Sequence, residues 1–143
     1  MSTAVFNFKQ RFVPRIKARI KQQTIRSKRK RTPVAGDHGR LQHGSRFKPQ
    51  LIGWATLESV APILVDIGGS VILPGRIIVR AQELDAFAVL DGFDDWDDMR
   101  AFWIVTHPAL PIFNGHIYRW GNSFRLPAAG PAGPSDGTPS SRL

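Results

Sequence analysis

Lys21 and Thr24 stand three residues apart and run straight into Ile25 and Arg26. A threonine hydroxyl is a poor nucleophile until a base removes its proton, and a lysine one helical turn earlier is within reach of it. For that task the amine must be neutral. The neighbouring cations Arg19, Arg26 and Lys28 disfavour its charged form, and partial burial adds to the effect. A carboxylate such as Asp91 would orient the amine or protonate a leaving amine, although an ion pair opposes the neutral form. The same spacing has an ordinary structural meaning: a surface lysine followed by a helix-ending threonine that bonds the backbone.

A second chemistry follows in the chain. Lys28, Arg29, Lys30 and Arg31 form an unbroken basic block, and Arg46 and Lys48 come after it. The first fifty residues carry fourteen Lys or Arg against one acid, Asp37, a net +13, whereas the remaining ninety-three carry six against ten, a net −4. Each cation that neutralises a phosphate releases a condensed counterion, so this asymmetry predicts a polyanionic partner, nucleic acid first of all. The candidate contacts are Lys21, Arg26, Lys28, Arg29, Lys30, Arg31, Arg46 and Lys48. The competing reading is a solvated basic arm.

Other constellations carry less. His38, His43, His107 and His116 lack the paired spacing of a metal site and fit loops or helix ends. The carboxylates Asp91, Asp94, Asp95, Asp97 and Asp98 crowd a helix start, where capping and the helix dipole account for them. Trp103 and Trp120 fall on core patterns, which leaves Trp54 and Trp96 as candidate stacking platforms. Without cysteine there is no disulfide, thiolate metal site or thiol nucleophile. No Gly-rich phosphate cradle is present, and the residues call for no cofactor.

These groups need elements to hold them. A strand is expected over Ala4–Phe8, with Phe6 and Phe8 on one side, then an amphipathic basic helix from Gln10 to Lys21 buried through Phe12, Val13, Ile16 and Ile20. Residues 27–50 read as loop with one short strand near Leu41–His43. Leu51–Ile67 and Ser70–Arg80 should pair as a hairpin through a two-residue turn at Gly68-Gly69, with a bulge or bend near Pro62. A helix over Gln82–Leu90 ends at Asp91-Gly92. Another over Asp95–His107 turns Met99, Phe102 and Trp103 inward, Thr106 extending that face, and Phe113–Trp120 closes the fold as a strand. Residues 127–143, with four prolines and three glycines, read as a disordered tail after a single domain over 1–126. The order suits an α+β domain: a small β-barrel covered by helices.

Several of these motifs, in order, resemble an ASCH domain of the PUA-like barrel group: the Phe-x-Phe strand, Lys-x-x-Thr-Ile-Arg, the basic run, Gly36-Asp37, Gly44-x-Arg46, Asp91-Gly92-Phe93, Met99 and Phe102-Trp103. The likeness spans about residues 4–121 and is nearest to short phage and prophage proteins of this kind. The resemblance implies recognition of RNA or a modified nucleoside in a cleft beside the Lys-x-x-Thr-Ile-Arg segment. The family also includes small amidohydrolases that deacetylate 4-N-acetylcytidine with a lysine, a threonine and a glutamate. Lys21 and Thr24 match the first two, and Asp91, one methylene shorter, stands at the glutamate position.

The expected function is therefore binding of RNA, or of a flipped or free nucleobase, at a cleft lined by Lys21, Thr24, Arg26, Arg46 and Asp91. The alternatives are an amidohydrolase acting there through Lys21, Thr24 and Asp91, and a phage-encoded interaction protein whose basic face takes an acidic host protein. No segment has the length of a membrane span or the form of a signal peptide, so a cytoplasmic location is expected.

Overall fold

The computed structural model describes residues 2–109 and 111–127. The strands are β1 (Thr3–Phe8), β2 (Gln23–Ser27), β3 (His38–Ser45), β4 (Lys48–Thr56), β5 (Ser59–Asp66), β6 (Ser70–Leu73), β7 (Arg76–Ile78) and β8 (Ile112–Arg119). The helices are α1 (Val13–Lys17), α2 (Ala81–Leu90) and α3 (Trp96–Thr106), with a 3-10 turn at Gln10–Phe12 ahead of α1. The fold is α+β.

The strands form two sheets, ordered β1-β3-β4 and β2-β8-β5-β6-β7. Their ladders do not join into the closed barrel that the element order suggests; an isolated bridge between Trp54 and Arg125 ties the segment after β8 to β4. The pairing of β1 with β3 is parallel, and every other strand pair is antiparallel. The inner faces of both sheets supply the core. Phe6, Leu41, Ile52, Ile63, Tyr118 and Trp120 are fully buried, and the Phe6 and Tyr118 rings meet at 5.1 Å between centroids. Phe6, Leu41, Ile52 and Ile63 each contribute about 1.5–3 kcal/mol by leaving water.

Several expectations hold. Ala4, Phe6 and Phe8 share the buried face of β1, Leu84, Phe87 and Ala88 that of α2, and Met99 and Trp103 that of α3. Asp95 caps α3, its carboxylate accepting the Asp98 N–H at 2.9 Å. Arg11–Asp98 (2.6 Å) and Arg15–Asp94 ion pairs link the α1 region to the α3 start.

Others are corrected. The first helix stops at Lys17, not Lys21. Arg19 takes a left-handed conformation (φ 64°), its N–H bonding Ile16 O while the Ile20 N–H reaches Arg15 O, a helix-ending arrangement normally marked by glycine. Ile20 is consequently 44% exposed. The stretch read mostly as loop holds all of β3. The run Leu51–Ile67 is two strands in different sheets, and Ser70–Arg80 folds back at Pro74-Gly75 into β6 and β7.

The β5–β6 hairpin has three residues between Asp66 and Ser70 rather than two. No register shift occurs at Pro62; the shift is in the β3–β4 ladder, where Leu41 pairs with Gly53 and Gln42 with Leu51, so that Ile52 of β4 is the extra residue. Pro62 is tolerated because β6 pairs only with Leu64–Asp66, leaving the chain free of a partner beside the proline on that side. The expected tail, apart from Pro127, lies outside the described residues.

Candidate functional site

Residues widely separated in sequence converge on one cavity of about 270 Å³ between the end of β1, strand β2, the α2–α3 junction and the inner face of α3. Lys21, Thr24, Arg26 and Asp91 all line it. The first three were expected within one helical turn and beyond; instead Lys21 sits in the α1–β2 connection, and Thr24 and Arg26 alternate along β2, sharing a face.

Local backbone bonds set Lys21 in place. Its own N–H reaches Arg15 O at 3.0 Å, and the next residue, Gln22, donates its N–H to Leu90 O at 2.9 Å, which pins the connection to the end of α2. The chain then leaves α2 through Gly92, at φ +99°. A Cβ there would stand 2.7 Å from Lys21 Cδ and 2.9 Å from Phe12 Cδ1, so the lysine stem passes through space that only glycine leaves open. The Lys21 Nζ donates to Gln23 O at 2.8 Å and to the main-chain carbonyl of Asp91, and lies 4.9 Å from the Phe12 ring centroid. Burial lowers the lysine to about 8, against the opposing pull of Asp91.

Asp91 is buried beside it. Burial raises its carboxyl to about 6, while Lys21 and a long bond from Gln23 Nε2 (3.5 Å) act the other way. The carboxylate makes no direct ion pair with Lys21; the ion pairs among the described residues are the two that join the α1 region to α3. Nor does Lys21 bond Thr24, whose hydroxyl accepts the Arg26 Nε–H at 3.0 Å. Arg26 also donates to Asn7 O at 2.6 Å and lies 4.8 Å from the Phe8 centroid; burial, then the nearby Arg29, lowers it to about 10. The site therefore gathers a buried amine, hydroxyl and carboxyl and a half-buried guanidinium, the amine from the α1–β2 connection, the hydroxyl and guanidinium from β2 and the carboxyl from the end of α2.

Much of the remaining lining is aromatic: Phe8, Phe12, Phe93, Phe102, Trp103 and Phe113. The Phe12, Phe93 and Phe102 rings pack at 5.3–5.5 Å, edge-on or tilted. His107, at the end of α3, stacks on Trp103 at 4.5 Å and 20°, with its pKa lowered by burial. Sequence reasoning assigned none of these aromatics to the site. The Phe-x-Phe alternation of β1 and the continuation of the α3 inner face to Thr106 and His107 were the available signals.

The basic block divides. Lys28, Lys30 and Arg31 are exposed, whereas Arg29 is half-buried, donating to Val5 O at 2.9 Å and lying 4.5 Å from the Phe6 centroid. Arg46 and Lys48 do not line the cavity. They stand at the β3–β4 hairpin tip, beside a groove that begins at Asn7, Phe8 and Lys9 and continues to His43 and Gly44. Trp54 lies under Arg40 at 5.5 Å, Trp96 packs at the edge of the core, and Trp103 and Trp120 are buried. No cluster of three His or acidic residues able to hold a metal occurs among the described residues, and none of their helices is long and apolar enough to cross a membrane. No family model, curated protein or solved structure matches the chain.

Proposed function

We propose that this chain is a nucleic-acid-binding protein of ASCH type, in which the cavity receives one base, free or flipped, and the surrounding cations hold backbone phosphates. One observation carries the reading: aromatic side chains line a cavity of about 270 Å³ together with hydrogen-bonding groups from buried Lys21, Thr24 and Asp91 and half-buried Arg26. Such a space is at the small end of ligand pockets and suits a flat heteroaromatic ring, gripped by stacking and read at its edge. Lys28, Lys30 and Arg31 emerge directly from β2, the strand that carries Thr24 and Arg26, so phosphates would meet cations just outside.

The test is equilibrium binding of fluorescently labelled single-stranded RNA and DNA 12-mers and of duplexes to the full chain across salt concentrations, for the protein and for Arg26→Gln. A linear fall of log affinity with log salt and weaker single-strand binding by Arg26→Gln are expected. No binding at moderate salt, about 0.1 M, where non-specific contacts already register, would reject the reading.

A second reading, hydrolysis of a 4-N-acetylcytidine-like nucleoside, is favoured by the lowered Lys21 amine sharing the cavity with Thr24 and Asp91. It ranks second because that amine is already spent on two carbonyls and bonds neither the hydroxyl nor the carboxylate. Mass spectrometry of the nucleoside before and after incubation tests it.

A further inference from the structure

Phe47 is 86% exposed, whereas the chain's other eight phenylalanines are buried or half-buried. Its setting is built. Ser45 pairs with Lys48, so Arg46 and Phe47 form the two-residue corner of the β3–β4 hairpin, and the Lys48 N–H is bonded by Ser45 Oγ at 3.0 Å. Gly44 has φ +94°, and a Cβ there would meet Lys48 O at 2.9 Å, a close approach that fixes the path into the corner. The Arg46 guanidinium lies 5.3 Å from the Phe47 ring centroid, and Lys48 follows on the other side.

The tip is continuous with the cavity. Phe8 pairs with His43, two residues before Ser45, so at a rise of about 3.3 Å per residue the corner begins within roughly 10 Å of Phe8. The groove over this distance shares Asn7, Phe8 and Lys9 with the cavity and ends at His43 and Gly44, with no acid in its lining. An aromatic face between cations, at the end of a basic groove leading from a base-sized cavity, matches the way single strands are held: bases on rings, phosphates on cations. The exposed apolar side chains Ile72, Ile77 and Val79 belong to the β6–β7 region of the other sheet, so Phe47 is not part of their surface.

We propose that Phe47 is a second base-stacking subsite for single-stranded nucleic acid, with Lys9, Arg46 and Lys48 holding the phosphates that connect it to the base in the cavity. This rests on the nucleic-acid reading above and adds a strand direction to it, from the cavity along the groove to the hairpin tip.

Binding of labelled oligo-uridine and oligo-thymidine 12-mers to the full chain tests the subsite, with Phe47→Ala, Phe47→Leu and Phe47→Trp compared and the melting temperature of each followed. Alanine and leucine should each weaken binding about tenfold, as for removal of one stacking platform, and tryptophan should hold or improve it. Melting temperatures should stay unchanged, because the ring is in water. Unchanged affinity in Phe47→Ala overturns the subsite while leaving the cavity reading intact. Retention by leucine but not alanine overturns stacking in favour of an apolar contact. Conversion of a dimer to a monomer by Phe47→Ala, with affinity unmoved, assigns the tip to a second copy of this chain. If the unsubstituted protein binds neither 12-mer, the nucleic-acid reading itself fails and the subsite with it.

Discussion

The Lys21 ammonium donates to the main-chain carbonyl of Asp91, seventy residues further along, while the Asp91 carboxylate is approached by Gln23. The two residues that a catalytic reading would pair through their side chains are thus joined through a backbone atom. The lysine acts as a strut between the α1–β2 connection and the end of α2, and the carboxylate faces a cavity without a strong hydrogen-bond partner.

Lys21→Met should therefore destabilise the fold by about 1–3 kcal/mol in urea denaturation at neutral pH, since two carbonyls lose their donor away from water. Relief of the buried charge keeps the loss from being larger. The Asp91 carboxyl should at the same time rise above about 6, because Lys21 holds it down. Carbon-13 titration of the carboxyl reads this directly, and an unmoved titration would mean that the two groups do not sense one another.

Stability should depend on pH through both groups. The folded Asp91 carboxyl is raised from 3.8 to about 6, so between those values the native state holds more protons than the unfolded chain, and stability falls as pH rises through the window. The folded Lys21 amine is lowered from 10.5 to about 8, so there the unfolded chain holds more protons, and stability rises with pH between 8 and 10.5. Asp91→Asn should abolish the decline between about 4 and 6. Equal slopes in both proteins would remove Asp91 as its source.

Gly92→Ala should cost about 2 kcal/mol or more. The left-handed backbone penalises any side chain, and the added Cβ strikes Lys21 Cδ and Phe12 Cδ1. Thermal unfolding checks the stability, and loss of oligonucleotide binding in a variant still folded at low temperature would show the lysine stem displaced.

This junction also shows what was legible. Asp91-Gly92 announced the end of α2 in sequence, and the α3 cap, the buried Phe-x-Phe strand and the closing strand were all readable from local chemistry. The first helix was misread because its stop is written with Arg19 rather than glycine, and because Ile20 continues the helical spacing for one residue after the helix has ended. The parallel pairing of β1 with β3 and the passage of the chain between sheets at Leu57-Glu58 depend on long-range contacts that no local pattern encodes. Lys21, Thr24 and Asp91 do line one cavity, but the aromatic wall that shapes it comes from residues whose periodicity signals core alone.

Within the basic block, Lys28, Lys30 and Arg31 should contribute to phosphate contacts and Arg29 to the fold. Replacing the first three with alanine should flatten the salt slope on a single strand by about two units, at roughly 0.7 per contact. Arg29→Ala should instead lower the melting temperature, since its guanidinium is bonded to Val5 O and lies over Phe6 and Tyr118. Should the triple variant keep the full slope, the phosphates lie elsewhere.

Thr24 separates the binding and hydrolytic readings. Its hydroxyl accepts from Arg26 Nε, so Thr24→Ala frees the guanidinium from one of its anchors and should weaken oligonucleotide binding by roughly two- to tenfold, with Thr24→Ser restoring it. If the hydroxyl is instead a nucleophile, Thr24→Ala should abolish conversion of 4-N-acetylcytidine. The rate for the unsubstituted protein should then climb as pH rises through about 8, where Lys21 becomes neutral and can take the proton. Nucleoside mass spectrometry across that pH range distinguishes the two. Complete survival of the nucleoside, together with the modest binding loss, would leave Thr24 as the residue that aims Arg26 and the cavity as a site that holds its base unchanged.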